Sequence, residues 1–237
     1  MAMQQVLRKP GWIARSMLPN YFDLSSPSKA RESLRKAYLF YRVRRHTLTR
    51  PSRLNVLYTL VRDIDRRQVP GAVVECGVYR GGSAAVMARA SERARVLHLF
   101  DSFQGLPPPG ERDGRQAREH FHEGWCASDV AEVRKLFERL HFPASQLNIH
   151  AGWFHDTLPR ANLQQVALLH IDADWYDSVM LCLRTFYDSV ASGGYIVLDD
   201  YGRWEGCTRA TDDFLKERGL EGRVSVRNPP FHFFEKP

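Results

Sequence analysis

The stretch Leu168–Gly202, LLHIDADWYDSVMLCLRTFYDSVASGGYIVLDDYG, constrains the fold more than any other part of the chain. Val166–Ile171 is an apolar run broken only by His170, the pattern of a strand buried on both faces. Asp172 and Asp174 follow where that strand should stop. Over Tyr176–Val190, Val179, Met180, Leu183, Phe186, Tyr187 and Val190 recur at helical spacing, and Ser192-Gly193-Gly194 predicts the helix end. Tyr195–Leu198 reads as a second buried strand and runs into Asp199-Asp200-Tyr201-Gly202. If the two strands are parallel, both acidic ends lie at the carboxyl edge of one sheet, where open α/β sheets bind ligands. An aspartate after a strand also serves as a turn or N-cap residue. Two acidic pairs at matched strand ends favour a metal or catalytic site instead. Converging carboxylates repel one another unless a cation sits among them, and hard oxygen donors in that number suit Mg²⁺.

The same strand-then-turn pattern recurs upstream. Ala72–Ser83, AVVECGVYRGGS, is a short buried strand entering a glycine-rich turn, with a helix expected over Ser83–Arg93. Glycines let backbone pass close to a ligand, and the helix N-terminus offers free N–H groups to an anionic group. The spacing Gly77, Gly81, Gly82 is not the G-x-G-x-x-G of dinucleotide enzymes. Glu75, near the strand end, needs a partner if buried, such as a ligand ammonium group. Arg95–Phe100 is the next strand, and Asp101 follows the glycine turn by about twenty residues, a placement that suits ribose hydroxyls. Residues 107–128 form a long polar loop carrying His120, His122 and Trp125, and such loops are commonly functional or disordered. Asp129–Leu140 reads as a helix, Gln146–His150 as a strand ending at Gly152-Trp153, Glu205–Arg218 as a helix, and Arg223–Val226 and Phe231–Phe234 as strands. Asp212-Asp213 sits mid-helix on a solvated face.

Ahead of this unit, Ser28–Arg45 predicts a basic amphipathic helix with Leu34, Ala37, Tyr38 and Tyr41 on one face. Ser52–Arg67 is another, with Leu54, Leu57, Tyr58, Leu60, Val61 and Ile64. Trp12, Ile13, Met17, Leu18, Tyr21 and Phe22 are too apolar for a free tail and should pack onto the domain or a second subunit. The net charge is +7 with much of the excess before residue 70. That suits either an anionic partner such as nucleic acid or solvated basic helices, and missing base-stacking motifs favour the helices. The chain has 237 residues, 43% hydrophobic and 26% charged, an ordinary globular composition with no membrane-length apolar run and no secretory signal. A cytoplasmic location without membrane attachment is expected. Cys76, Cys126, Cys182 and Cys207 are far apart in sequence and read as reduced thiols.

The element order β-α-β-α with a late antiparallel hairpin resembles a class I S-adenosylmethionine methyltransferase. Together, VECGVYRGGSA, HLFDSFQGLPPP, AGWFHDTLP, HIDADWYDS and VLDDYG resemble the macrocin O-methyltransferase family, the TylF/MycF/NovP group. The resemblance implies an α/β fold, a Rossmann-like doubly wound sheet, mostly parallel with a C-terminal antiparallel strand, plus N-terminal helices. It implies a lid or oligomerisation segment over residues 1–68 and a catalytic domain over 69–237. It implies Mg²⁺-dependent methylation of a sugar hydroxyl on a glycoside by S-adenosylmethionine. By that resemblance Glu75, Gly77, Gly81 and Ser83 line the methionine part of the cofactor, Asp101 and Ser102 hold the ribose, and Gly152 and Trp153 lie by the adenine. Asp172, Asp199 and Asp200 match the metal ligands, and Asp174 matches the general base. Ala173 stands where the family pattern leads us to expect glycine. A catechol-type enzyme is the rival, with Trp175, Tyr176 and Trp204 as an apolar slot; a nucleic-acid-binding module ranks lower. Self-association through the front segment is a further expectation.

Overall fold

The structure, a computed structural model, describes residue 23, residues 25–227 and residues 231–237. The apolar residues Trp12 to Phe22 named above lie outside the described residues. Helix α1 (Pro27–Val43) starts at Ser26, whose hydroxyl accepts from the Lys29 amide at 3.3 Å. Helix α2 (Pro51–Arg66) starts on a proline, which has no N–H to leave unsatisfied. Leu54, Leu57, Leu60, Val61 and Ile64 then recur on one face and are fully buried.

The strands are β1 (Ala72–Cys76), β2 (Leu97–Asp101), β3 (Leu147–Ala151), β4 (Val166–Ile171), β5 (Val190–Leu198), β6 (Ser225–Arg227) and β7 (Phe231–Glu235). They form one sheet in the order β3-β2-β1-β4-β5-β7-β6. Only β7 runs against its neighbours. This is the class I methyltransferase arrangement expected above. Between the strands lie α3 (Gly82–Ala90), α4 (Gly114–His120), α5 (Val130–Arg139), α6 (Phe154–Thr157), α7 (Tyr176–Phe186) and α8 (Glu205–Glu217).

Strand alternation divides the interior into two apolar layers. Val73, Leu97, Leu99, Leu168 and Val197 face one layer with α1, α2, α3 and α5. Val74, Cys76, Phe100, Leu169, Ile171, Ile196 and Leu198 face the other with α7 and α8. The residues of α2 thus share a core with the sheet.

Three local expectations need correction. Helix α1 buries Ser33, Leu39, Phe40 and Val43, not the Leu34/Tyr38/Tyr41 face, which stays exposed. The face carrying Leu39, Phe40 and Val43 wins the interior, while Tyr38 and Tyr41 stay in water beneath stacked Arg42 and Arg44. Helix α7 ends at Phe186, and β5 begins at Val190 rather than Tyr195. Ser192-Gly193-Gly194 therefore lies inside a strand, where Gly193 adopts φ +77° and the register with β4 shifts. A Cβ on Gly194 would meet the Ala167 carbonyl at 2.8 Å. Those glycines make a bulge and a close strand approach instead of stopping a helix. Finally, the 107–128 segment is no open loop: it holds a 3₁₀ turn at Glu111–Asp113 and helix α4.

Candidate active site

The chain order reverses between β1 and β4: β1 leads outward to β2 and β3, while β4 leads to β5. At the carboxyl ends of these strands opens a cavity of 990 Å³, where such a switch point places a ligand crevice. Gly77 leaves β1 at φ +88°, and a Cβ there would lie 1.8 Å from the Asp172 carbonyl oxygen. Only glycine lets the two strand ends pass.

The acids converge at this mouth. One oxygen from each of Asp172, Asp199 and Asp200 lies within 4.8 Å of the others. Asp199 and Asp200 are 4% and 2% exposed. Burial and the charges of Asp199, Asp200 and Asp174 push Asp172 well above the ordinary carboxylate value. Burial and Asp200 do the same to Asp174, against the pull of Arg203. Burial and the charge of Asp199 push Asp200 up to about 6. Asp199 differs: burial would raise it, but His170 and Arg53 hold it below the usual range. Arg53 Nη1 donates to Asp199 Oδ2 at 2.7 Å. Asp199 Oδ1 and Asp200 Oδ2 are buried and make no hydrogen bond. Three carboxylates with unused oxygens form a donor set that fits a hard divalent cation. Asp174 stands beside them at φ +54°, a left-handed conformation that aspartate tolerates better than most residues.

Of the residues expected on the cofactor side, Gly77, Ser83, Asp101, Ser102 and Trp153 line the cavity; Glu75, Gly81 and Gly152 do not. Asp101 Oδ2 accepts from the Val78 and Tyr79 amides at 2.6 and 2.9 Å, and Oδ1 accepts from Phe103 at 2.7 Å. Its carboxylate therefore fixes the glycine turn as well as facing the cavity. Glu75 is fully buried and has found a partner in the protein: His170 Nδ1 lies 2.9 Å from its Oε1. Burial pushes Glu75 up, against the pull of His170 and Ser83. Burial opposes charge on His170, but the neighbouring carboxylates of Asp199 and Glu75 push it up to about 9.

Several cavity residues escaped the sequence. Thr47, Leu48, Thr49, Arg50 and Arg53, from the end of the front segment, form one wall. Trp125 joins Trp175 and Trp204, with ring centroids 5.4 to 6.2 Å apart, in an aromatic wall beside the acids. His120 and His122 pack against Trp204 and Trp125. Tyr176, expected in this slot, is instead buried outside the cavity lining; its hydroxyl donates to Asp213 at 2.9 Å. Asp113 ties the covering loop down: Oδ1 accepts from the Tyr176 amide at 2.6 Å and Oδ2 from Gly110 at 2.7 Å. All four cysteines are free. Several basic residues of the front segment form ion pairs at the surface, Arg62 with Glu32 and Arg67 with Asp63 and Glu235. No helix among the described residues is long and apolar enough to cross a membrane.

Comparison with known proteins places the chain in a family. A family model described as Macrocin-O-methyltransferase (TylF) matches residues 21–227. The demethyldecarbamoylnovobiocin O-methyltransferase of Streptomyces niveus is 35% identical over 195 residues, covering 79% of this chain and 74% of that protein. The 8-demethyl-8-(2,3-dimethoxy-alpha-L-rhamnosyl)-tetracenomycin-C 4'-O-methyltransferase of Streptomyces olivaceus is 34% identical over 187 residues, covering 76% and 71%. The solved structure of the O-methyltransferase NovP superposes with a TM-score of 0.73 at 32% identity, covering 81% of this chain and 82% of that one.

Proposed function

The chain belongs to the macrocin O-methyltransferase (TylF) family and is an S-adenosylmethionine-dependent O-methyltransferase; from that premise we propose that it methylates a sugar hydroxyl of a glycosylated natural product, with Mg²⁺ at the acidic strand ends. The observation that carries the metal is the trio Asp172, Asp199 and Asp200, whose oxygens lie within 4.8 Å of one another at the cavity mouth. A relative named for methylating a rhamnosyl-tetracenomycin supports the glycoside. The cavity of 990 Å³ is at the large end of small-molecule sites and leaves room for an acceptor beside the cofactor.

A sugar hydroxyl holds its proton far above neutral pH and is a weak nucleophile as it stands. In this reading Asp172, Asp199 and Asp200 hold Mg²⁺. An ion held there would supply the Lewis-acid charge that lowers the pKa of an acceptor hydroxyl. S-adenosylmethionine brings a methyl group already activated by its sulfonium. Asp174, beside the three ligands at the cavity mouth, would take the hydroxyl proton on its carboxylate. Gly77 and Ser83 border the methionine part, Asp101 and Ser102 the ribose, and Trp153 the adenine, with Gly81 and Gly152 shaping the backbone behind them. Thr47–Arg53 and the tryptophans exclude water. Residues 1–68 act as the cap and 69–237 as the catalytic part.

The Trp125/Trp175/Trp204 wall also favours a second reading, a phenolic diol acceptor of the catechol type. A panel of glycosides and catechols, assayed with and without Mg²⁺, separates the two. Calorimetry tests the metal directly. Asp199→Ala should abolish Mg²⁺-dependent turnover and leave S-adenosylmethionine binding within a few-fold of wild type. Full activity of Asp199→Ala without added metal would sink the assignment.

A further inference from the structure

We propose that Glu75 and His170 are positioning residues for the metal ligand Asp199, acting from behind it, and that Glu75 is not a contact of S-adenosylmethionine. The inference rests on the metal reading above and assigns a different role to the carboxylate that motif resemblance gives to the cofactor.

Sheet register carries the placement. Glu75 on β1 is directly beside His170 on β4, and His170 is directly beside Val197 on β5. Side chains two apart on a strand share a face. Val73, Leu168 and Val197 all face the layer under α2, so Glu75 and His170 point there too. The next position on that face after Val197 is Asp199. Three neighbouring strands thus deliver a row: Glu75, His170, Asp199.

The contacts follow the row. His170 Nδ1 lies 2.9 Å from Glu75 Oε1, and His170 Nε2 lies 3.8 Å from Asp199 Oδ1. Both ring nitrogens therefore face carboxylate oxygens. Glu75 and His170 are 0% exposed, and neither lines the cavity. Phe231 covers the imidazole at 6.4 Å between ring centroids. From the α2 side, Arg53 holds the other oxygen of Asp199 at 2.7 Å. Asp199 is thereby hydrogen-bonded by Arg53 on one oxygen and flanked by His170 on the other. A buried carboxylate turning a histidine, which in turn faces a metal-ligating carboxylate, is an outer-shell arrangement of the kind that tunes ligand orientation.

The test is a pair of titrations on each protein, one with S-adenosylmethionine alone and one with MgCl₂ alone, read by calorimetry, with Mn²⁺ spin resonance as a second metal readout. For Glu75→Gln and His170→Gln we expect Mg²⁺ affinity to fall about 10- to 100-fold, while S-adenosylmethionine affinity stays within about twofold. A merely structural role would weaken both ligands together or neither. The opposite split, with cofactor affinity lost and Mg²⁺ affinity kept, overturns the proposal and returns Glu75 to the cofactor. Unchanged affinity for both also overturns it. Should a single variant fail to fold, the joint replacement Glu75→Met with His170→Phe removes the row without stranding a buried charge, and the same split is then required of it. Wild-type protein that binds no Mg²⁺ would instead sink the metal reading itself; wild-type binding with unaffected variants sinks only the row.

Discussion

The two edges of the sheet treat buried charge in opposite ways. At the amino edge, Asp65 closes α2 and Arg95 precedes β2; their side chains are 6% and 7% exposed. Asp65 accepts from Arg95 Nε at 2.5 Å, from Ser91 Oγ at 2.8 Å and from the Glu92 amide at 2.8 Å. Arg95 also donates to the Gly71 and Val69 carbonyls at 2.7 and 2.8 Å. Burial would raise Asp65, but these partners hold it below its ordinary value. At the carboxyl edge, Asp172, Asp174 and Asp200 are raised and buried oxygens go unpaired. Where the chain supplies every partner, buried charge is structural. At the cavity mouth it withholds them from Asp199 and Asp200, and that cluster awaits a ligand.

The largest effect expected from that contrast is at the amino edge. Arg95→Ala strands Asp65 and should cost about 3–5 kcal/mol of stability, measured as a shift in the urea midpoint at constant slope. Asp200→Asn at the other edge should do the reverse. Relief of the mutual repulsion should stabilise the metal-free protein by about 1 kcal/mol, while the calorimetric signal for Mg²⁺ disappears. Equal destabilisation by both substitutions would erase the distinction between the edges.

The smallest effect concerns acid. His98 lies at the amino-edge side, its Nδ1 3.1 Å from His150 Nε2. Burial and the neighbouring His150 push it down to about 4 from 6.5. Between those two values the unfolded chain binds more protons than the folded one, so stability falls as pH drops from about 6.5 towards 4. His98→Gln should flatten that decline when urea midpoints are compared at pH 7 and 5. An unaltered slope would place the acid sensitivity elsewhere.

The acids were legible because each follows a strand that the apolar pattern marks clearly. The rest depended on neighbours that sequence does not order. Glu75 looks like a site residue because a lone carboxylate in a buried strand wants a partner; that the partner is His170 follows from β1 lying beside β4, two strands far apart in the chain. Arg53 sits on a helix whose basic residues read as solvated, and its pairing with Asp199 crosses most of the chain. Trp125 stood in a polar segment with no period to place it. For α1, two apolar stripes competed, and only packing decided between them. The bulge at Gly193-Gly194 carries the same residues as a helix stop, so composition could not separate the two.

Strand β7 lies between β5 and β6 in space yet follows both in the chain. A ribosome therefore delivers the sheet out of order. Until Phe231–Glu235 emerges, β5 keeps an open edge and β6 has nothing to pair with. That late strand also brings His232 to the cavity wall and Phe231 over His170. The nascent chain must guard an unpaired edge while the residues between Leu198 and Phe231 are made, and competence for chemistry arrives together with closure of the sheet rather than before it.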